Sequence, residues 1–186
     1  MSDTLSLTGR LLIAMPDMDD PRFARSVVFL CEHSDDGAMG LIVNKPLDGV
    51  NFAAVLEQME ITPGAPRDVA VRFGGPVERQ RGFVLHGDDY TSAQSTARIA
   101  PGFCLTATRD VLEALGEGAG PASCVLTLGY AGWAEGQLER EIAANGWLVG
   151  DADPALVFGE ARAMWSGALA RLGINPLLLS AEAGRA

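Results

Sequence analysis

The only two histidines in the chain occupy nearly identical settings and are the residues best suited to metal chemistry. His33 and His86 each end an apolar run, and each is followed two residues later by an aspartate, Asp35 or Asp88. Imidazole and carboxylate ligands together suit zinc, iron or manganese. If the two strand ends are adjacent, these four side chains predict a divalent metal site. The alternative is that the aspartates only form turns.

A glycine-rich segment offers a second kind of site. Residues 124–128 are apolar and predict a buried strand, residues 129–133 predict a glycine turn, and residues 134–142 predict a helix. A turn ahead of a helix can present free backbone N–H groups to a ligand. The ligand-binding candidates in this turn are Gly129, Tyr130, Gly132 and Trp133. The alternative is that the two aromatic side chains pack into the core.

Polar residues also flank the hairpin that residues 27–44 predict. Arg25 precedes the first strand and Asn44 ends the second, and both are ligand-binding candidates. The default expectation for Arg25 is an ion pair with a nearby carboxylate. Lys45 is the only lysine in the chain. Its position beside a proline indicates a solvated edge and not a buried nucleophile.

Other motifs for catalysis or cofactor binding are missing from the sequence. No serine lies in a G-x-S-x-G context, so a hydrolase triad has no support. The glycine run at residues 116–120 precedes a strand, whereas a dinucleotide-binding loop follows a strand and opens a helix. The sequence therefore predicts no catalytic residue set and no cofactor.

The charge balance argues against nucleic acids as direct partners. The chain carries 24 acidic and 14 basic residues, for a formal net charge of −10. A field of this sign repels phosphate backbones, and no run of basic residues reverses the sign locally. We therefore expect no direct nucleic-acid binding.

Cysteine usage and the N-terminus indicate a compartment. Cys31, Cys104 and Cys124 are far apart and odd in number, which is typical of buried thiols in a reducing cytoplasm. The first apolar run, at residues 11–15, is too short for a signal core or a membrane span. We expect a cytoplasmic protein without a membrane anchor.

The order of predicted elements indicates the fold class. Strands dominate the first half of the chain, including a hairpin around an Asp-Gly step at residues 36–37, and helices are interleaved mainly in the second half. This order favours an α+β fold with a mixed, largely antiparallel sheet and helices packed on its faces. The length of 186 residues predicts one domain over residues 1–186, with a frayed tail at residues 181–186.

Several uncommon motifs resemble those of one bacterial family. They are L-I-A-M-P at residues 12–16, E-H-x-x-x-G-A-M-G-L-I-V-N at residues 32–44, G-G-P at residues 74–76, L-H at residues 85–86, and L-G-Y-A-G-W-x-x-G-Q-L-E at residues 128–139. Together they resemble the AlgH/YqgE family over nearly the whole chain. The resemblance implies a single-domain cytosolic α+β protein with an indirect role in gene regulation, and it implies no catalytic residues.

Two functions follow as hypotheses. The first is a non-enzymatic binding or regulatory protein with an unknown protein partner, because the motifs are rich in glycine and aromatic residues but assemble no acid, base and nucleophile. The alternative is a metal-assisted or phosphate-directed enzyme centred on His33 and His86. The distance between the two imidazoles distinguishes these hypotheses, because side chains that share one ion lie about 2 Å from it.

Overall fold

A computed structural model describes residues 5–178 of the chain. Within that range the chain forms nine strands and five helices. The strands are β1 (Arg10–Ala14), β2 (Val27–Ser34), β3 (Gly37–Ile42), β4 (Val71–Phe73), β5 (Val77–His86), β6 (Ala97–Ala100), β7 (Phe103–Thr106), β8 (Cys124–Ala134) and β9 (Trp147–Asp151). The helices are α1 (Phe52–Gln58), α2 (Arg109–Gly116), α3 (Gln137–Ala143), α4 (Pro154–Val157) and α5 (Ala161–Arg171). The predicted frayed tail at residues 181–186 lies outside the described residues.

All nine strands belong to one sheet. The strand order is β6-β7-β5-β8-β3-β2-β1-β9, and each of these neighbours pairs antiparallel. β4 adds the one parallel pairing described, along residues 126–128 of β8. This arrangement confirms the predicted α+β fold with a mixed, largely antiparallel sheet.

The β2–β3 hairpin forms as the sequence predicts. Ser34 pairs with Gly37, so the chain reverses through the two aspartates between them. A register shift between Leu30 and Glu32 inserts Cys31 as an extra residue in β2. Such a bulge bends the strand and increases its twist.

The longest strand corrects one prediction. Residues 129–133 do not form a turn, because β8 continues from Cys124 to Ala134 and pairs with β3 through residues 131–134. Gly129 falls between the paired residues Leu128 and Tyr130 and has a φ of 79°. The pairing with β5 is irregular here, since residues 78–81 of β5 lie opposite Gly129 alone, and we call this irregularity the bulge. The next helix starts only at Gln137.

The sheet is covered on both faces. One face packs against α5 through a cluster that includes Leu11, Phe29, Leu85, Phe103 and Trp165. The opposite face carries two clusters, one under α1 and α2 and the other under α3. Side chains alternate between faces along a strand, which is why Leu11 and Leu12 belong to different clusters.

The sheet also curls on itself. Gly9 immediately precedes β1, yet it lies so close to β6 that a Cβ on Gly9 would be 2.7 Å from the Cβ of Ala100. β1 and β6 are separated by five strands in the sheet order, so only a strongly curved sheet can bring them together. None of the five described helices has the length and apolar composition that crossing a bilayer requires.

Candidate functional site

The two histidines lie in different parts of the sheet. His33 of β2 pairs with Ala38 of β3, which pairs with Trp133 near the end of β8. His86 of β5 pairs with Cys124, at the start of the same strand β8. The two paired positions on β8 are nine residues apart. The two histidines therefore belong to different strand pairings, and within the described residues their imidazoles share no hydrogen-bond partner.

The described residues give no support to the predicted shared metal site. Asp35 lies in the β2–β3 turn, near His33, while Asp88 follows His86 and lies 3.8 Å from the guanidinium of Arg98. Across residues 5–178, no three histidine, cysteine or acidic side chains are placed to hold one metal ion. β2 and β5 run in opposite directions because three antiparallel pairings connect them, so the strand ends that carry His33 and His86 point in opposite directions.

His33 instead fastens three segments to one another. Its Nδ1 accepts a hydrogen bond of 3.0 Å from the backbone N–H of Leu7, so the ring proton is on Nε2. Nε2 then donates to Oε1 of Glu139 in α3 over 2.6 Å. This hydrogen bond lowers the pKa of the Glu139 carboxyl. Both ring nitrogens are engaged, so neither is free to bind a ligand.

His86 belongs to a different hydrogen-bond chain. Its side chain is fully buried, and its Nδ1–H donates to the carbonyl of Gly87 over 2.7 Å. Nε2 must then accept from the hydroxyl of Thr106 at 2.8 Å, and that hydroxyl accepts from Thr96. Burial lowers the pKa of His86. This arrangement favours a neutral imidazole held in place and not a ligand or general base.

The glycine motifs have a packing role. A Cβ on Gly74 would overlap the carbonyl of Gly129, and a Cβ on Gly75 would overlap the backbone of Tyr130. The motif at residues 74–76 therefore crosses β8 at the bulge, where only glycines allow the two backbones to approach. Gly132 lies farther along β8 and is exposed.

The two aromatic candidates contact other aromatic rings. Tyr130 meets Phe83 edge-on at a centroid distance of 5.9 Å, and Trp133 meets Trp147 edge-on at 6.1 Å. The ring of Trp133 is buried in the cluster under α3. These contacts correspond to the packing alternative and not to a ligand-binding turn.

Arg25 and Asn44 are brought together by the backbone. Asn44 accepts from the N–H of Val27 at 2.8 Å through Oδ1 and donates to the carbonyl of Arg25 at 2.9 Å through Nδ2. These bonds hold Arg25 at a φ of 56°, a left-handed conformation. Its guanidinium lies over the ring of Trp165 at 5.2 Å, and within residues 5–178 it forms no ion pair with a carboxylate. The expected ion pair is therefore replaced by a cation–π contact.

Next to Asn44, the chain forms a pocket that we call the basic pocket. It has a volume of about 410 Å³. Its principal lining residues are Arg22, Lys45, Pro46, Asp48, Phe73 and Arg79. A backbone hydrogen bond of 2.7 Å from Phe73 to the carbonyl of Lys45 joins its two central residues.

The cations of the basic pocket differ in their partners. Arg22 is neutralised by Asp20, with an ion-pair distance of 2.7 Å. Lys45 and Arg79 pair with no carboxylate in the described part of the chain. The Arg79 guanidinium lies 5.3 Å from the centre of the Phe73 ring. Burial lowers the pKa of Lys45, whose ammonium donates to the carbonyl of Ala24 at 2.8 Å.

This geometry suits binding better than catalysis. An ammonium has three N–H donors, and only one of those of Lys45 is used by the protein, which leaves two for an anion. The pocket lining includes no histidine, cysteine, serine or threonine among the described residues, so it offers no nucleophile of those types. Sequence reasoning missed Arg22, Phe73 and Arg79, because these residues are far apart in the chain and share no motif.

The curled sheet, the single domain and the surface pocket define an α+β protein built around one long central strand. The AlgH-like family model matches residues 11–177, and the chain belongs to this family. A UPF0301 protein of Ruegeria pomeroyi is 56% identical over 185 residues, covering 98% of this chain and 100% of that protein. A UPF0301 protein of Cereibacter sphaeroides is 53% identical with the same coverage.

Two solved structures share the fold. The solution structure of AlgH from Pseudomonas aeruginosa matches with a TM-score of 0.79 and 44% sequence identity, covering 100% of this chain and 99% of that one. A crystal structure of a Corynebacterium diphtheriae protein matches with a TM-score of 0.70 and 25% identity, covering 93% and 91% of the two chains. These matches confirm the family that the sequence motifs indicate.

Proposed function

We propose that this protein is a non-enzymatic binding protein that recognises an anionic group in the basic pocket. One observation carries the proposal: in a chain with a net charge of −10, Lys45 and Arg79 line one pocket and have no carboxylate partner in residues 5–178. Acidic residues outnumber basic ones, so cations without acidic partners in one pocket point to an external anion.

The chemistry of the pocket favours a carboxylate or phosphate. A guanidinium can donate two parallel hydrogen bonds to either group, and a lysine adds a point charge. The ring of Phe73 and the adjacent Pro46 add apolar surface to the lining of the pocket. Asp48 also lines the pocket and would select against ligands of high negative charge.

The anionic group is carried by a protein partner in this proposal, because the pocket lies at the surface beside the exposed residues Arg22 and Arg79. A regulatory role would then act through that partner and not through direct contact with DNA, which the net negative charge opposes. We place this activity in the cytoplasm on the basis of three free thiols, at Cys31, Cys104 and Cys124. The enzyme centred on two histidines is not proposed, since both ring nitrogens of His33 and of His86 are already hydrogen-bonded within the protein.

Isothermal titration calorimetry on the full chain tests this proposal. The probes are an aspartate- and glutamate-rich peptide, a phosphorylated peptide, inorganic phosphate and a lysine-rich peptide. We expect saturable binding of an acidic probe and none of the lysine-rich peptide. Lys45→Met and Arg79→Gln should each weaken binding by about tenfold, the effect of losing one charge-assisted hydrogen bond.

Arg162→Gln is the matched control. Arg162 is exposed on α5, outside the basic pocket, and forms no ion pair in the described part of the chain. This variant removes the same charge and should bind like the wild type. Binding of phosphate alone identifies a free anion as the ligand, whereas binding of peptides alone identifies a protein partner. If no acidic probe binds, or if all three variants lose affinity equally, the basic pocket is not the site.

A further inference from the structure

A second pocket lies between the sheet and the first two helices. It has a volume of about 250 Å³ and shares no lining residue with the basic pocket. Its floor includes Val84 of β5 and Leu126 of β8, and its walls include Val55 of α1 and Leu112 of α2. We call it the Gly82 pocket, after the glycine of β5 on its floor.

Gly82 leaves this pocket open although the fold does not require a glycine there. Its φ is outside the left-handed region. A Cβ at this position would lie 3.4 Å from Leu126 Cδ1 and 3.8 Å from Leu128 Cδ2, which are ordinary van der Waals contacts. Protein interiors are close-packed, so space of this size beside a missing side chain is available to an apolar group from outside.

The charges around the Gly82 pocket are of one sign. Arg81 and Arg109 line it, and no carboxylate does. The Arg81 guanidinium lies over the ring of Phe83 at 4.9 Å, and Phe83 packs on the α5 face, so Arg109 is the cation on the pocket side. The ion-pair partner of Arg109, Glu113 at 2.8 Å, has a side chain that is 52% exposed. Exposed pairs of this kind are weak, so an anion at the pocket competes with them at little cost.

Arg109 also fixes the shape of the pocket. Its guanidinium donates to the carbonyl of Met59 at 2.5 Å and to that of Glu60 at 3.3 Å, at the C-terminal end of α1. These bonds tie the start of α2 to the end of α1. The two helix walls therefore stand at a set separation, and the pocket is formed before a ligand arrives.

We propose that the Gly82 pocket binds an amphipathic carboxylate, with its hydrocarbon chain against the leucines and valines and its carboxylate at Arg109. The volume fits a chain of roughly eight carbon atoms, because a methylene occupies about the space of one water molecule, ~30 Å³. This ligand is distinct from the anionic partner of the basic pocket. The two sites can be tested independently.

Calorimetry and thermal shift with octanoate on the full chain test this inference. We expect saturable octanoate binding, with weaker binding of octanol, which lacks the charge, and of butyrate, which lacks the chain. Gly82→Val fills the floor of the pocket and should abolish octanoate binding. Arg109→Gln should weaken it by about tenfold. Arg81→Gln removes the same charge from a guanidinium that lies over Phe83, and it should bind octanoate like the wild type.

Two controls separate this site from general effects. Gly132→Val places the same side chain on an exposed position of β8, outside the pocket, and should bind octanoate like the wild type. Lys45→Met should also bind octanoate normally. Equal octanoate binding by the wild type and Gly82→Val overturns the proposed site, as does the absence of binding to the wild type. Equal affinity for octanol and octanoate overturns the role of the carboxylate.

Discussion

At the scale of single residues, similar sequence contexts lead to different hydrogen-bond environments. His33 and His86 share the same pattern of a strand end followed by acids. His33 nevertheless bonds to Leu7 and Glu139, whereas His86 accepts from the hydroxyl of Thr106, which in turn bonds to Thr96. A buried imidazole must have both nitrogens satisfied, and nearby backbone or hydroxyl groups satisfy them here. The pattern therefore predicts a polar strand end but not its partner.

Replacing His33 tests its fastening role. His33→Phe leaves the N–H of Leu7 and the carboxylate of Glu139 without their partner, so we expect the free energy of unfolding to fall by about 1–3 kcal/mol. Urea denaturation measures this change. Glu139→Gln keeps the Leu7 hydrogen bond and an acceptor for Nε2, and it should cost less. If His33→Phe is as stable as the wild type, these bonds contribute nothing to stability.

His86 makes stability depend on pH. Its pKa is lowered by burial from the ordinary value of 6.5, so the folded state favours the neutral ring. The stabilisation is present above about pH 6.5 and is lost as the pH falls from there through the folded pKa. Denaturation curves at pH 7.5 and 5.5 should show a smaller free energy of unfolding at pH 5.5. His86→Gln should lose less over this range, and an equal loss would contradict the assignment.

At the scale of elements, β8 organises the sheet. It pairs with β5 along one edge and with β3 and β4 along the other. Because of the bulge at Gly129, β8 contributes side chains both to the cluster under α1 and α2 and to the cluster under α3. Leu128 packs with the cluster under α1 and α2, whereas Ala131 packs with the cluster under α3 on the same face. Leu128 and Ala131 are three positions apart, and strict alternation would place them on opposite faces.

Substitution at the bulge should be costly. Gly129 has a φ of 79°, and a Cβ there would overlap the carbonyl of Gly75. We expect Gly129→Ala to lower the free energy of unfolding by at least about 1 kcal/mol, because the left-handed conformation alone costs about that much. Gly132→Ala, in the exposed part of β8, should change stability by less than about 0.5 kcal/mol. Equal effects at both positions in guanidinium denaturation would show that the bulge geometry is not required.

Filling the Gly82 pocket should stabilise the ligand-free protein. Gly82→Val adds apolar contacts with Leu126 and Leu128 and replaces a glycine by a good strand former. Cavity-filling changes of this kind commonly add about 0.5–2 kcal/mol. Thermal denaturation measures the gain, with Gly132→Val as a control for strand propensity alone. An unchanged or lower melting temperature for Gly82→Val, relative to that control, would show that the side chain does not enter the pocket.

At the scale of the whole molecule, a net charge of −10 opposes the anion that the basic pocket is proposed to attract. The repulsion comes from distant carboxylates, whereas the attraction acts over a few ångströms. Salt screens distant charges first, since the Debye length falls from about 30 Å at 0.01 M to about 8 Å at 0.15 M. The two effects therefore respond differently to ionic strength.

This difference predicts an unusual salt response. We expect the association rate of an acidic peptide to rise between low and physiological ionic strength, as the long-range repulsion is screened. Stopped-flow fluorescence with a labelled peptide measures the rate. Proteins that bind through a predominantly basic surface show the opposite trend. A rate that falls with salt would mean that the local cations, and not the net charge, control approach.

The sequence by itself determined most elements, the fold class, the charge and the family. The Asp-Gly hairpin, the strand in β1 and the helix capped by Asn51 depend on residues within a few positions of one another, so local patterns predicted them. β6 was missed because its four residues lack an apolar run. Boundaries such as the start of β3 shifted because pairing extends strands beyond their apolar centres.

Only the tertiary structure decided how distant segments meet. The glycines of residues 129–133 suggested a turn, but pairing with β3 keeps this backbone extended. The basic pocket combines Arg22, Lys45 and Arg79, which lie on three separate segments. The physical reason is that side-chain periodicity and turn residues act over a few positions, whereas strand order and register depend on long-range pairing that no local pattern encodes.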